Sequence, residues 1–123
     1  MLNERPVLGF IPTKDFARAR AFYVGLLGLE EVSADAFALF VKANGISIRI
    51  FLAGEFTPAA YTILGWSVTD MVQTVAAMNA VGIVFEQYAY LEQDAAGIWT
   101  APNGARVAWF KDPDGNTLSL SQS

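Results

Sequence analysis

Apolar side chains occupy every second position along residues 46–52, which read Ile-Ser-Ile-Arg-Ile-Phe-Leu. A period of two is typical of a β-strand, because successive side chains of a strand point to opposite faces of its sheet. Ile46, Ile48, Ile50 and Leu52 therefore share a face that is predicted to be core. Ser47, Arg49 and Phe51 share the other face, which is predicted to be open or to face something polar.

A second alternating stretch follows residue 104. Residues 105–111 and 117–121 flank the turn Asp-Pro-Asp-Gly-Asn at residues 112–116. Pro113 fixes φ for a tight turn and Gly115 can take a positive φ, so the pattern predicts a β-hairpin. After the turn, Leu118 and Leu120 are predicted to face the core, while Ser119 points to the opposite side.

Helical spacing and capping residues predict two helices. Asp15 and Gly28 bracket a first helix over residues 16–27, and Asp70 and Gly82 bracket a second over residues 71–81. The apolar positions of the first helix form one stripe: Phe16, Ala19, Tyr23, Leu26 and Leu27. Two stripes are open for the second helix: Val72, Val75, Ala76 and Asn79, or the more apolar Met71, Val75 and Met78.

Short apolar runs bounded by turn residues predict the remaining strands. They lie at residues 7–12, 29–33, 37–42, 61–68 and 83–88. Both halves of the chain then read β-α-β-β-β, and their capping aspartates are 55 residues apart. A unit repeated in this way predicts two modules that share a core, because neither buries its apolar face alone.

The predicted fold class is α+β, with two βαβββ modules forming a curved mixed sheet that has helices outside and a concave groove inside. We expect one domain over residues 1–123. Module 1 is predicted at about residues 5–54, a linker at 55–60 and module 2 at about 61–123.

Composition narrows the classes of function. The formal net charge is −4, with 8 Lys and Arg against 12 Asp and Glu, so no basic surface is expected for nucleic acid. Cysteine and histidine are both absent, which excludes disulfides and thiolate nucleophiles and removes the commonest transition-metal ligand. The first residues lack the pattern of a signal peptide, and no apolar run has the length of a membrane span. We expect a soluble, cytoplasmic protein.

Three motifs and the order of the elements resemble the vicinal oxygen chelate superfamily, also called the glyoxalase/bleomycin resistance/extradiol dioxygenase superfamily. The motifs are Thr-Lys-Asp-Phe at residues 13–16, Phe-Tyr at 22–23 followed by Leu-Gly at 27–28, and Phe-Lys-Asp-Pro-Asp-Gly-Asn-Thr-Leu at 110–118. The resemblance covers nearly the whole chain. It implies the paired βαβββ fold and a homodimer.

Metal-using members of the superfamily have a histidine seven residues before each capping aspartate and a glutamate after the closing turn. The resemblance places Leu8, Ile63 and Ser119 at these positions, with Arg49 as the nearest candidate for a fourth ligand. Two apolar side chains, a neutral hydroxyl and a cation do not suit a metal. The resemblance therefore implies no metal and no cofactor, and it favours the metal-free branch that includes bleomycin resistance proteins.

Aromatic residues among a few hydroxyls and one charge, as on the inward face of the predicted sheet, are typical of a small-molecule pocket. Trp99 and Tyr90 border a polar loop and could form a lip that stacks on a ligand. The predicted ligand-binding residues are Phe10, Arg49, Phe51, Ser67, Tyr90, Trp99 and Ser119, with no catalytic residue. The alternative is a groove that side chains fill completely.

Arg49 is the most specific of these candidates. A guanidinium on an inward face is costly to bury unpaired, and it pairs well with a carboxylate or a phosphate. A salt bridge to an acid such as Glu86, or a tip that extends into water, would explain it without a ligand.

The leading hypothesis is a metal-independent protein that binds and sequesters a small hydrophobic or aromatic molecule, an antibiotic being one such ligand. The rival is a lyase, isomerase or dioxygenase of the same superfamily with an atypical site. A third class is a structural or regulatory module with a collapsed groove.

Overall fold

The computed structural model describes all 123 residues. The chain divides into two compact units, Met1–Thr57 and Pro58–Ser123. Each unit has the element order β-α-β-β-β and forms its own four-stranded sheet. None of the helices is long and apolar enough to span a membrane.

The first unit begins with a 3-10 turn at Leu2–Glu4 and then builds a mixed sheet. Its elements are β1 (Leu8–Thr13), α1 (Phe16–Arg20), which continues as a π-helix over Ala21–Leu26, β2 (Glu30–Ala34), β3 (Ala38–Ala43) and β4 (Ile46–Leu52). The strand order is β1-β4-β3-β2, with β1 parallel to β4 and the other pairs antiparallel.

Helix α1 begins where the capping residue predicts, because the carboxylate of Asp15 accepts a hydrogen bond from the backbone N–H of Arg18 at 3.2 Å. Its second part differs from the prediction. The π-helix closes wider turns than an α-helix, so the angular spacing of its side chains changes. As a result Phe22 and Tyr23 are buried, while Leu26, which was predicted to lie on the apolar stripe, is 46% exposed.

Strand β4 lies in the middle of the first sheet and alternates as its sequence predicts. Ile48 and Ile50 are buried, and α1 packs against this strand. Ile46 and Leu52, which were predicted on the same core face, lie at the two ends of the strand and are exposed. Arg49 is exposed and Ser47 and Phe51 are half-buried on the opposite face. One face of the sheet is therefore core and the other is open.

The second unit repeats this arrangement. Its elements are β5 (Thr62–Ser67), α2 (Met71–Ala80), β6 (Trp99–Thr100), β7 (Arg106–Lys111) and β8 (Thr117–Gln122). The strand order is β5-β8-β7-β6, with β5 parallel to β8. Helix α2 contacts β7 and β8, where Phe110, Leu118 and Leu120 are buried.

Helix α2 is capped by Asp70, whose carboxylate accepts a hydrogen bond from the backbone N–H of Gln73 at 3.0 Å. Met71 and Val75 are buried, whereas Val72 is exposed. Of the two stripes that the sequence left open, the more apolar one is the buried one.

The prediction of a strand at residues 83–88 is wrong. This segment has a single bridge, between Phe85 and Phe110, and the next strand in the chain is the two-residue β6. The side chain of Gln93 accepts from the N–H of Tyr88 at 2.7 Å and donates to the carbonyl of Glu86 at 2.9 Å. A glutamine side chain thus satisfies backbone groups that a neighbouring strand would otherwise bond.

The turn at residues 112–116 is held by the buried carboxylate of Asp112, which accepts hydrogen bonds from the N–H groups of Asp114 and Asn116, each at 2.9 Å. Gly115 has φ of 87°, as the sequence predicts.

The α+β class and the two βαβββ modules are confirmed. The hydrogen bonds divide the strands into two sheets, one per unit, where the sequence predicts one.

Candidate functional site

The open face of the first sheet carries a row of three large side chains in direct register. Phe10 on β1 pairs with Arg49 on β4, and Arg49 pairs with Phe40 on β3. The centre of the Arg49 guanidinium lies 5.8 Å from the centroid of the Phe10 ring and 5.4 Å from that of the Phe40 ring. Arg49 therefore has an aromatic ring on each side, which stabilises its charge.

The guanidinium of Arg49 has no protein acceptor. Ion pairs join Lys14 to Glu55 and Arg20 to Glu31, and Arg49 takes part in neither. A guanidinium has five N–H donors in one plane. Since aromatic rings contact the guanidinium without accepting conventional hydrogen bonds, these donors stay available to water or to a ligand.

A groove of about 410 Å³ lies beside this row. Its lining residues are Phe10, Asp35, Phe37, Ala38, Phe40, Arg49 and Phe51, and we call it the phenylalanine groove. The rings of Phe10 and Phe51 meet edge to face, with centroids 6.5 Å apart. Its volume and its mostly aromatic wall are typical of sites for small organic molecules.

Asp35 contributes the acidic group of the groove. One of its carboxylate oxygens accepts hydrogen bonds from the backbone N–H groups of Phe37 at 2.8 Å and Ala38 at 2.9 Å. These bonds fix the turn between β2 and β3 and hold the exposed Phe37 at one end of the groove.

A second cavity, of about 180 Å³, shares Phe40 and Arg49 with the groove. Its other lining residues are Leu8, Val32, Ser33, Val41, Lys42, Ser47 and Ile48, and we call it the polar pocket. Lys42 and Ser47 face each other across β3 and β4. The polar pocket therefore combines two cations with hydroxyl groups.

The open face of the second sheet has a different character. Ser119 pairs with Gly65 on one side and Trp109 on the other, and only 6% of it is exposed. A Cβ atom on Gly65 would lie 3.0 Å from the hydroxyl oxygen of Ser119 and 3.2 Å from its carbonyl oxygen. A side chain at residue 65 would therefore require Ser119 to shift, whereas glycine leaves this contact unstrained.

An aromatic cluster lies beside Ser119. The ring of Trp109 is 5.6 Å from that of Tyr88 and 6.2 Å from that of Trp99, and Tyr88 is 5.6 Å from Tyr90. Burial raises the pKa of Tyr88, and the negative charge of Glu86 and the neighbouring Tyr90 raise it further.

The predicted ligand-binding residues thus fall into three groups. Phe10, Arg49 and Phe51 lie together in the phenylalanine groove. Trp99, half-buried, and Tyr90, 80% exposed, both belong to the aromatic cluster. The other two predicted residues are Ser67, exposed at the end of β5, and Ser119, buried.

Sequence reasoning missed the contribution of β3 and of the turn before it. Phe40 and Lys42 alternate with the buried Leu39 and Val41, so the same period of two could have placed them on the open face. No signal of this kind exists for Asp35, because it lines the groove only through the conformation of the turn between β2 and β3.

The positions that bind metal in the superfamily do not fit a metal here. Leu8, Ile63 and Ser119 offer one hydroxyl and no carboxylate or imidazole, and Arg49 adds a positive charge. No group of three His, Cys, Asp or Glu side chains lies together in the chain. Every buried side-chain nitrogen and oxygen atom already has a hydrogen-bond partner.

Comparison with known proteins identifies the class. The family model described as Glyoxalase/Bleomycin resistance protein/Dioxygenase superfamily matches residues 6–120. The chain therefore belongs to this superfamily, as the sequence motifs indicated. No curated protein matches it.

Similar solved structures share the fold at low sequence identity. A member of the superfamily from Sphaerobacter thermophilus is 20% identical, with 100% of each chain covered and a TM-score of 0.75. A lactoylglutathione lyase from Agrobacterium tumefaciens is 17% identical over 98% of this chain and 94% of that one, with a TM-score of 0.76. A genomically encoded fosfomycin resistance protein, FosX, from Listeria monocytogenes is 16% identical over 95% and 91%, with a TM-score of 0.75.

Proposed function

We propose that this protein binds a small aromatic molecule in the phenylalanine groove without the help of a metal, and that it acts by sequestering that molecule. The observation that carries the proposal is the row Phe10, Arg49 and Phe40, which keeps three large side chains on the open face of a sheet. Phe10 is 54% exposed and Phe37 79% exposed, so the wall of the groove offers apolar ring surface to a ligand.

The groove has the properties that a binding site for an aromatic molecule needs. Its phenylalanine rings offer faces and edges on which a planar ligand can stack. The turn bonds of Asp35 and the pairing of three strands set the positions of its walls, so little conformational entropy is lost on binding.

Sequestration fits the side chains that stand at the superfamily's metal positions. Leu8, Ile63 and Ser119 at these positions are not suited to hold a metal ion, which would act as the Lewis acid that polarises a bound substrate. One of the similar structures is a fosfomycin resistance protein, so antibiotics belong in the panel of test ligands.

We also propose that the protein forms a homodimer in the cytoplasm. Exposed apolar side chains such as Val7 and Val32 support a contact with a second copy. Light scattering on a size-exclusion column would test it, and a mass of 13.3 kDa at all concentrations would contradict it.

The proposed binding is tested by thermal unfolding in the presence of aromatic compounds, antibiotics and divalent metal ions. A ligand at about 100 times its Kd adds about 2.7 kcal/mol to the free energy of unfolding, which raises the midpoint visibly. We expect upward shifts with planar aromatic compounds and none with metals.

Variants tie the effect to the groove. Phe40→Ala removes a wall of the groove and is expected to abolish the shift. Tyr61→Ala, which removes an exposed aromatic ring that does not line the groove, should leave the shift unchanged. A shift caused by metals, or one that survives in Phe40→Ala and disappears in Tyr61→Ala, would contradict the proposal.

A further inference from the structure

The polar pocket and the phenylalanine groove are neighbouring cavities, because Arg49 and Phe40 line both. The groove supplies aromatic walls and the pocket supplies polar groups. A ligand that fills both must have an apolar body and a polar end.

The charges of the polar pocket define that polar end. Lys42 and Ser47 are cross-strand partners, and Ser47 stands two residues before Arg49 on the same face of β4. Neither Lys42 nor Arg49 takes part in the ion pairs of Lys14 with Glu55 and of Arg20 with Glu31. Glu30 is in register with Lys42 on β2 but forms no ion pair with it. Two cations outside these ion pairs and a hydroxyl group are suited to an oxyanion.

Asp35 limits where the oxyanion can lie. Asp35 lines the groove and not the polar pocket, so its negative charge disfavours an anionic group in the groove relative to the pocket. The aromatic part of the ligand then lies against the phenylalanine rings.

We infer that the ligand is an aromatic oxyanion, a carboxylate or a phosphate ester, whose charged end is bound by Arg49, Lys42 and Ser47. This inference rests on the proposed function, since it assigns the ligand class of the same site. Arg49 supplies planar N–H donors that match two oxygens at once, and Lys42 supplies a point charge.

The experiment compares three probes of the same shape by isothermal titration: 2-naphthoate, its uncharged amide, and 2-naphthyl phosphate. Wild-type protein should bind the acid about tenfold to a hundredfold more tightly than the amide, since hydrogen bonds to charged groups are the strong ones. Added sodium chloride should weaken binding of the acid and leave the amide unaffected.

Variants then assign the preference to the polar pocket. In Arg49→Gln the acid-to-amide ratio should fall to about one, and in Lys42→Gln it should fall several-fold, because each variant removes one of the two cations. Arg5→Gln, which removes an exposed cation outside both cavities, should keep the wild-type ratio.

The outcomes separate the two proposals. Equal binding of acid and amide to the wild-type protein would overturn the oxyanion assignment and leave aromatic binding intact. Failure of all three probes to bind would count against both. Tighter binding of the phosphate ester than of the carboxylate supports the assignment and identifies phosphate as the charged group.

Discussion

The two sheets have the same strand order, yet their open faces are opposite in character. Phe10, Arg49 and Phe40 of the first sheet correspond by register to Gly65, Ser119 and Trp109 of the second. In the first sheet the central residue is exposed and flanked by rings, whereas in the second it is buried beside a glycine.

The difference shows how the residue at the middle of the row changes the open face of a repeated sheet. A large residue at the middle of the row cannot pack between neighbouring backbones, so Arg49 extends outwards with a cavity on either side. A small residue allows the backbones of β5 and β8 to approach closely. The lysines beside these rows differ in the same way. Lys111 of the second sheet donates a hydrogen bond to Thr117 at 2.7 Å, whereas Lys42 of the first sheet takes part in neither ion pair named above.

The largest effect is expected when the central residues are exchanged. Ser119→Arg places a cation at a position that is only 6% exposed, so it should lower the free energy of unfolding by about 3–5 kcal/mol. Arg49→Ser removes two exposed cation–π contacts and should cost about 1 kcal/mol. Urea unfolding of both variants measures the difference.

A control on the same face separates burial from charge. Ser121→Arg adds the same cation at an exposed position two residues further along β8 and is expected to change stability by less than about 0.5 kcal/mol. If Arg49→Ser were as destabilising as Ser119→Arg, the first face would be as tightly packed as the second and the comparison would fail.

Much of the fold could be predicted from the sequence because its signals are local. The capping aspartates fix the starts of both helices, and alternation identifies β4 and β8. Residues 83–88 also begin with an apolar run, but a single bridge joins them to β7. The side chain of Gln93 bonds the backbone of Glu86 and Tyr88, and no local sequence pattern predicts these bonds.

A smaller effect is expected from the two strand glycines. Gly65→Ala places Cβ 3.2 Å from a backbone carbonyl oxygen, which cannot move far, and should destabilise by about 1–3 kcal/mol. Gly9→Ala meets Ile48 at 3.4 Å, an ordinary contact, and should be neutral or slightly stabilising because alanine restricts the unfolded chain. Thermal or urea unfolding of the matched pair tests the closer packing of the second sheet.

Removal of the Ser119 hydroxyl tests the cause of the expected Gly65→Ala destabilisation. Ser119→Ala combined with Gly65→Ala relieves the 3.0 Å contact to the hydroxyl oxygen and should recover part of the lost stability. Equal stability of Gly65→Ala and Gly9→Ala would show that the second face has room and would weaken the comparison.

The site could be predicted only in part. Alternation placed Phe10, Arg49 and Phe51 on one face, and the structure brings them into one groove. The grouping of Ser119 with Arg49 followed from the same alternation, which reports the direction of a side chain and not its burial. Burial depends on the neighbouring strand, where the second unit has Gly65.

The smallest effect concerns the aromatic cluster that covers Trp109. Burial, then the charge of Glu86 and the neighbouring Tyr90, raise the pKa of Tyr88. The folded state therefore holds this proton more tightly than the unfolded chain. The resulting stability is complete below about pH 10, the ordinary pKa of tyrosine, and is lost as pH rises through the raised value. Urea midpoints should consequently fall less steeply above about pH 10 in Tyr88→Phe than in the wild type.

Ultraviolet titration of tyrosinate should show a larger drop in the pKa of Tyr88 for Trp109→Ala than for Glu86→Gln, because burial is the largest cause of the raised pKa. Identical titrations of wild type and Trp109→Ala would mean that the cluster does not shield Tyr88, and the second face would then be open like the first.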